Sequence, residues 1–286
     1  MANLKELRGR ITSISSTMQI TSAMKMVSAA KLNKAQDAIT KMRPYATKLT
    51  ELLQSLSASL EGDSASVYSE KRDVNNVLII AVSSNRGLAG AFNSNIVKGV
   101  KALATNEFAG KNMQLLTIGK KANDILSKEF KIYKNITAIF DDMSFENSET
   151  ISEEVMTAFA EGTYDKVVLI YNKFKNAATQ IVTTEQYLPL VTEEAEETKV
   201  QEYIFEPEQE EIVQGLIPKA LKMQLYKALR DSVAAEHGAR MTAMHKATDN
   251  ATELRDQLKL TYNKARQASI TNEILEIVGG AEALNN

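Results

Sequence analysis

ATDNATELRDQLKLTYNKARQASITNEIL, residues 247–275, carries Ala247, Ala251, Leu254, Leu258, Thr261, Ala265, Ala268, Asn272 and Leu275 at alternating steps of four and three. A stripe with that spacing keeps facing one partner only if the helix winds around it left-handedly, as in a coiled coil. Upstream, Leu221, Leu225, Ala228, Ser232, Ala235, Ala239 and Thr242 extend the stripe with small residues, which let helix axes approach closely. At the other end, Leu4, Leu7, Ile11, Ile14 and Met18 follow the same rule. After Ile20, Met24 and Val27 the stripe resumes at Leu32, Ala35, Ile39, Met42, Leu49, Leu53, Leu56 and Leu60, which implies one shift of phase. No proline interrupts residues 1–43 or 219–286. At about 1.5 Å per residue each helix would reach roughly 65 to 100 Å, far beyond the usual three or four turns. Helices of that length need a lateral partner, and the nearest is the other. The expectation is a long antiparallel coiled coil of the N- and C-terminal helices, residues 1–60 and 209–286, joined by an α/β domain at 74–206 that brings its chain ends together, like a shaft on a foot.

The middle of the chain alternates strand and helix. NVLIIAVS at 76–83 has the length and branched residues of a buried strand, followed by the turn NRGLAGAFN and a helix over 94–104. A strand at 114–118, helices at 119–130 and 147–160, and strands at 166–171 and 179–187 complete the expected set. Such alternation implies a mostly parallel, doubly wound, Rossmann-like sheet. Pro189, Pro207 and the glutamate-rich stretch between them read as an exposed strand and loop.

Composition narrows the chemistry. The 286 residues contain no Cys and no Trp, which excludes a disulfide, a thiolate metal site and a cysteine nucleophile. His237 and His245, eight apart, make a metal cluster improbable and suggest solvated helix positions. The opening MANLKELRGR reads as amphipathic helix, so no signal peptide is expected, and the apolar run 77–82 is far short of the ~20 residues that cross a bilayer. The net charge of −2 conceals an asymmetry: residues 1–50 carry nine Lys or Arg against Glu6 and Asp37, whereas residues 192–211 carry nine Glu against Lys199. A basic helix seeks an acidic surface, whether nucleic acid, anionic lipid or protein.

Arg86, Gly87, Leu88, Ala89 and Gly90 form a turn between strand and helix, where amides could hold a phosphate. The turn matches neither GxGxxG nor GxxxxGK[ST], so the expectation is structural, with Gly87 and Gly90 permitting close backbone approach and Arg86 pairing with a carboxylate. Asp141 and Asp142 read as a loop, and no catalytic constellation, cofactor or metal is expected. Two readings of the residues remain open at this point: a coiled-coil scaffold with a DNA-binding arm and a small nucleotide-dependent enzyme.

Five segments carry a family resemblance: ITSAMKMVSAAKL at 20–32, MRPYA at 42–46, SSNRGLAGAFN at 83–93, EHGARMTAMHKATDNATEL at 236–254 and YNKARQASITNEILEIVGGAEAL at 262–284. In this order and over this length they resemble the gamma subunit of bacterial F-type ATP synthase. Ala89 stands where Cys is frequent in that family and Gly238 where Ala is usual; the lack of Cys argues against a redox-regulated chloroplast form. The resemblance implies a non-catalytic central-stalk rotor, one copy per complex. Its helix pair would sit inside the hexamer of alpha and beta subunits, and its foot would meet the epsilon subunit and the ring of c subunits. It would be peripheral to the cytoplasmic side of the bacterial inner membrane, with no nucleic acid and no cofactor of its own. It further implies beta-subunit contacts at Met24, Lys25, Arg266, Gln267 and Asn272, and an apolar bearing of Ile270, Leu275, Ile277 and Val278. Foot contacts to the c ring or epsilon would come from Arg43, Tyr45, Tyr203, Phe205 and Glu206.

Overall fold

A computed structural model of the chain describes residues 4–58, 67–70, 72–190 and 209–285. Two helices dominate it: α1, Leu4–Ala58, and the last helix, Gln209–Asn285. Between them run β1 (Asn76–Val82), α2 (Phe92–Asn106), β2 (Asn112–Ile118), α3 (Lys120–Leu126), β3 (Lys131–Ile136), α4 (Phe145–Ala160), β4 (Lys166–Phe174) and β5 (Gln180–Leu188), so that the last helix is α5. By their internal contacts the residues form two compact units: Met1–Ser28 with Met241–Asn286, and Ala29–Arg240.

In the larger unit a five-stranded sheet has the order β3-β2-β1-β4-β5, parallel except for β5. β1 is its centre, with residues 77–82 fully buried, because it carries a layer on each face. On one face Val77, Ile79 and Ala81 meet Ile96, Val97 and Val100 of α2 and Ala122 and Leu126 of α3. On the other, Leu78, Ile80 and Val82 meet Ile151, Val155 and Phe159 of α4 and Ile217, Leu221, Leu225 and Leu229 of α5. Each such side chain contributes ~1.5–3 kcal/mol by leaving water. Two glycines set the packing distance. A Cβ at Gly99 would lie 2.6 Å from Ile170 Cδ1, so its absence lets α2 settle on β4. Gly119 has φ +107°, and a Cβ there would lie 2.4 Å from the Ser83 carbonyl oxygen.

β3 was not expected from the sequence. Its burial alternates weakly, Lys131 and Lys134 interrupt any apolar pattern, and it lies at the sheet edge, where charged residues discourage pairing with other chains. The helix expected over 119–130 shrinks to Lys120–Leu126, since Gly119 is not helical and residues 127–130 turn into β3. Pro44 lies within α1 and Pro218 within α5, so both helices run through a residue that lacks the N–H for an i→i−4 bond. The expected strand and loop at 191–208 lie outside the described residues.

In the smaller unit α1 and α5 are antiparallel. Arg8 Nη2 donates to Tyr262 Oη at 3.0 Å, Thr252 Oγ1 donates to Met18 Sδ at 3.3 Å, and Thr21 and Thr248 share a hydroxyl hydrogen bond of 2.8 Å. Each advance along α1 is met by an equal retreat along α5. The buried positions of α1 keep one phase, with no shift: Leu7, Thr21 and Ser28 in this unit and Leu32, Ala35, Ile39, Ala46 and Leu49 in the larger one are buried, and Ile20 and Val27 are exposed instead. Thr21 and Ser28 fit because their hydroxyls bond back to the carbonyls of Met18 and Met24, at 3.1 and 2.7 Å. The seam of α5 also lies on a different stripe from the one expected. Met244 and Ala251 are buried and Thr248, Arg255, Leu258, Tyr262, Ala265 and Ser269 partly so, whereas Leu254, Thr261, Ala268 and Asn272 are exposed. Arg255 and Tyr262 occupy the seam with their stems and reach Met18 and Arg8 with their polar ends.

Gly119→Ala should lower stability by about 3 kcal/mol or more, through strain and backbone collision together. Gly215→Ala, on an exposed turn of α5 with open space around the position, should raise it by about 0.5–1 kcal/mol. Urea unfolding of the purified variants measures both; equal effects would contradict the fold.

Candidate partner-contact surfaces

α5 between Ala228 and Arg240 is buried on nearly all sides, with Ala228, Leu229, Asp231, Ser232, Ala234, Ala235, Glu236, Ala239 and Arg240 below a tenth exposed. The cause is that α1 flanks it and the α/β domain covers the rest. Burial raises the carboxyl pKa values of Glu236 and Asp231 above the usual range. The charges of Arg240, Lys31 and Arg86 oppose that at Glu236; those of Lys227, Lys173 and Arg43 oppose it at Asp231. Arg43, expected as a foot contact, is an exposed residue whose charge also serves this intramolecular field. Tyr45 is exposed at 55%. Tyr203, Phe205 and Glu206 lie outside the described residues.

The turn after β1 seats this helix. Arg240 Nη1 pairs with Glu236 Oε1 at 2.6 Å, and Arg240 Nη2 donates to the carbonyls of Arg86 and Gly87 at 3.1 and 3.4 Å. Ala89 and Phe92 pack against Ala235, Ala239 and Phe174. Doubly wound folds place ligands at the carboxyl ends of their strands; here the chain's own helix covers that end of β1, so the turn serves packing. Gly90 has φ +57°, as the turn requires, but the nearest atom to a Cβ at Gly87 would be Lys121 Cε at 3.9 Å, an ordinary contact. The residue held left-handed without being glycine is Leu88, at φ 62° and 66% exposed. The Arg86 charge acts on Glu236 through space and favours its ionised form.

Gly238 lies where α5 meets the sheet. A Cβ on Gly238 would lie 3.1 Å from Ala177 Cα, so glycine admits the turn between β4 and β5 against α5. His237, expected in solvent, is instead mostly buried beside Lys31 and Arg240, and its Nδ1 has no hydrogen-bond partner among the described residues. Burial first, then those two cations, lower its pKa to about 4. His245 is exposed, 3.4 Å from Asp249.

In the smaller unit Met24 and Lys25 are half-buried beside exposed Ile20, Met26 and Val27. Met18, Gln19, Ser22, Ala23, Met26 and Thr248 line a shallow open groove of about 370 Å³ there. The hydroxyl residues Thr21 and Thr248, which place this face, escaped the sequence reading because the expected stripes ran in a neighbouring phase. Arg266, Gln267, Ile270, Asn272, Leu275, Ile277 and Val278 are all exposed. The antiparallel register explains why: Leu4, the first described residue of α1, pairs near residue 266, so the rest of α5 has no partner among the described residues of α1.

No described helix is long and apolar enough to cross a membrane. A family model described as ATP synthase matches residues 3–284. The ATP synthase gamma chain of Christiangramia forsetii is 70% identical over 285 residues, and that of Flavobacterium johnsoniae 67% over 286, each match covering the whole of both chains. A chain in the Euglena gracilis mitochondrial ATP synthase structure of OSCP, F1 and c ring superposes with a TM-score of 0.74 over 98% of this chain and 94% of that one; at 23% identity it attests the fold alone.

Because the folded His237 pKa lies below the unfolded value, its neutral form contributes stability that is complete above about pH 6.5 and lost as pH falls toward about 4. His237→Gln should therefore lose less of its unfolding midpoint than wild type between those limits. Thermal denaturation across the window checks this, and parallel curves would contradict it.

Proposed function

The chain belongs to the ATP synthase gamma-chain family and is its non-catalytic rotor subunit, and from that premise we propose how its surfaces divide the work. The helix pair of α1 and α5 turns within a hexamer of alpha and beta subunits, and the α/β domain meets the epsilon subunit and the c ring. Ion flow through the ring turns the assembly at the cytoplasmic face of the bacterial plasma membrane. Because the two helices present unequal faces, each orientation favours a different conformation at each beta subunit. That is a population shift imposed mechanically.

The observation that carries this reading is the end of α5. Ile270, Ile274, Leu275, Ile277 and Val278 are between 48% and 71% exposed within nine residues, a density of bare aliphatic surface that calls for a partner. An apolar collar suits them, since dispersion contacts lack the directionality that would hold a rotor at one angle. Arg266, Gln267 and Asn272 supply polar contacts to beta-subunit loops in particular rotary states. Met24 and Lys25 face an acidic beta-subunit loop, where solvent-exposed pairs of ~0–1 kcal/mol form and release without trapping the rotor. Arg43 and Tyr45, with Tyr203, Phe205 and Glu206, make the contacts to c ring and epsilon.

Two measurements test the reading. Native membranes solubilised with a tagged chain should yield two larger nucleotide-binding subunits; their absence would refute the assembly. Met24→Lys adds a cation against the acidic loop and should slow ATP-driven rotation several-fold while assembly persists. Unchanged turnover in the assembled complex would remove Met24 from the contact.

A further inference from the structure

We propose that Arg240 is a positioning residue that fixes the angle of α5 about its own axis against the α/β domain, so that torque enters the helix there. The inference rests on the rotor reading. Backbone hydrogen bonds of a helix run along its axis and resist no rotation against neighbours; only side chains can do that. Around Arg240 most contacts are smooth. Ala235, Ala239 and Gly238 face Ala89, Phe92 and Ala177, close enough to centre the helix but with no projection to catch it. The guanidinium is the directional group. It is planar, its donors point in fixed directions, and three acceptors meet it: Glu236 at 2.6 Å and the carbonyls of Arg86 and Gly87 at 3.1 and 3.4 Å. The Arg240 and Glu236 side chains are only 10% and 11% exposed, so water competes little for these bonds.

The acceptors are themselves held. Ser84 donates from its N and its Oγ to Asn93 Oδ1, each at 3.0 Å, and Ser84 Oγ also donates to the Arg86 carbonyl at 2.6 Å in an alternative orientation of the hydroxyl. Asn172 Nδ2 donates to the Phe92 carbonyl at 3.1 Å, tying the turn to β4. Leu88 holds a left-handed conformation that side chains rarely adopt, which a turn retains only when its surroundings dictate it. A second charged anchor, Lys222, binds Glu149 and Glu153 of α4 at 2.6 Å each. It precedes Arg240 by 18 residues, five turns of ~3.6, so both anchors leave α5 on one face. Together they act as a key in a keyway.

The test uses the assembled complex in sealed vesicles, reading ions pumped per ATP hydrolysed. Arg240→Met keeps the apolar stem and removes every donor. It should lower that ratio at least twofold with hydrolysis kept within about twofold, and Arg240→Lys should recover part of the loss. A wild-type ratio in assembled Arg240→Met overturns the proposal. If Arg240→Met does not assemble, Arg240→Lys decides: a ratio below wild type supports the keying role and an equal ratio overturns it. Failure of the wild-type chain itself to assemble would instead strike the rotor reading.

Discussion

A helix of 77 residues is held straight by its own hydrogen bonds but held in place only by what flanks it, and α5 meets that constraint differently along its length. From Ile217 to Leu229 it fills one face of the sheet core. From Ala228 to Arg240 it is enclosed by the α/β domain and α1, and buried charge replaces aliphatic contact. From Met244 to Ser269 it lies along a single partner, with hydroxyls and long polar stems in the seam. Past that point no described residue of α1 flanks it, and its large aliphatic residues are exposed. The energetic character thus moves from dispersion, through a desolvated ion pair, to exposed aliphatic surface.

The polar content of the seam bears on how a rotor can be built. A seam of leucines would be more stable, yet Thr21, Ser28, Thr248 and Thr252 bond back to carbonyls of their own helices and so enter it without orphaned groups. Their small volumes leave the two helices close together. The outer surface then carries Ile20, Met26 and Val27, which the chain does not use for its own folding. Those three side chains keep more than half of their surface in solvent.

The sheet domain is one that elsewhere binds nucleotides, and here its strand ends are occupied from within. Arg240 approaches carbonyls of the turn after β1, whereas a phosphate would need its amides. The subunit is non-catalytic, and what this domain offers is a seat for a helix.

The sequence by itself determined the long helices, the central strand NVLIIAV and the alternating α/β order, because periodicity and β-branched runs report burial directly. It also carried the family, through five separated segments. The stripe within the helices was legible only in part. Ala251, Leu258 and Ala265 lie on both the expected and the observed stripes, but a four-three alternation fits either neighbouring phase, and Arg255 and Tyr262 disguised the true one. The tertiary structure alone decided three further features: the edge strand β3, the burial of His237, and the union of Glu236 and Arg240 with a turn some 150 residues distant. Each depends on what packs against a residue from elsewhere in the chain. Local pattern records which face of an element is apolar; it does not record which remote surface will cover the rest.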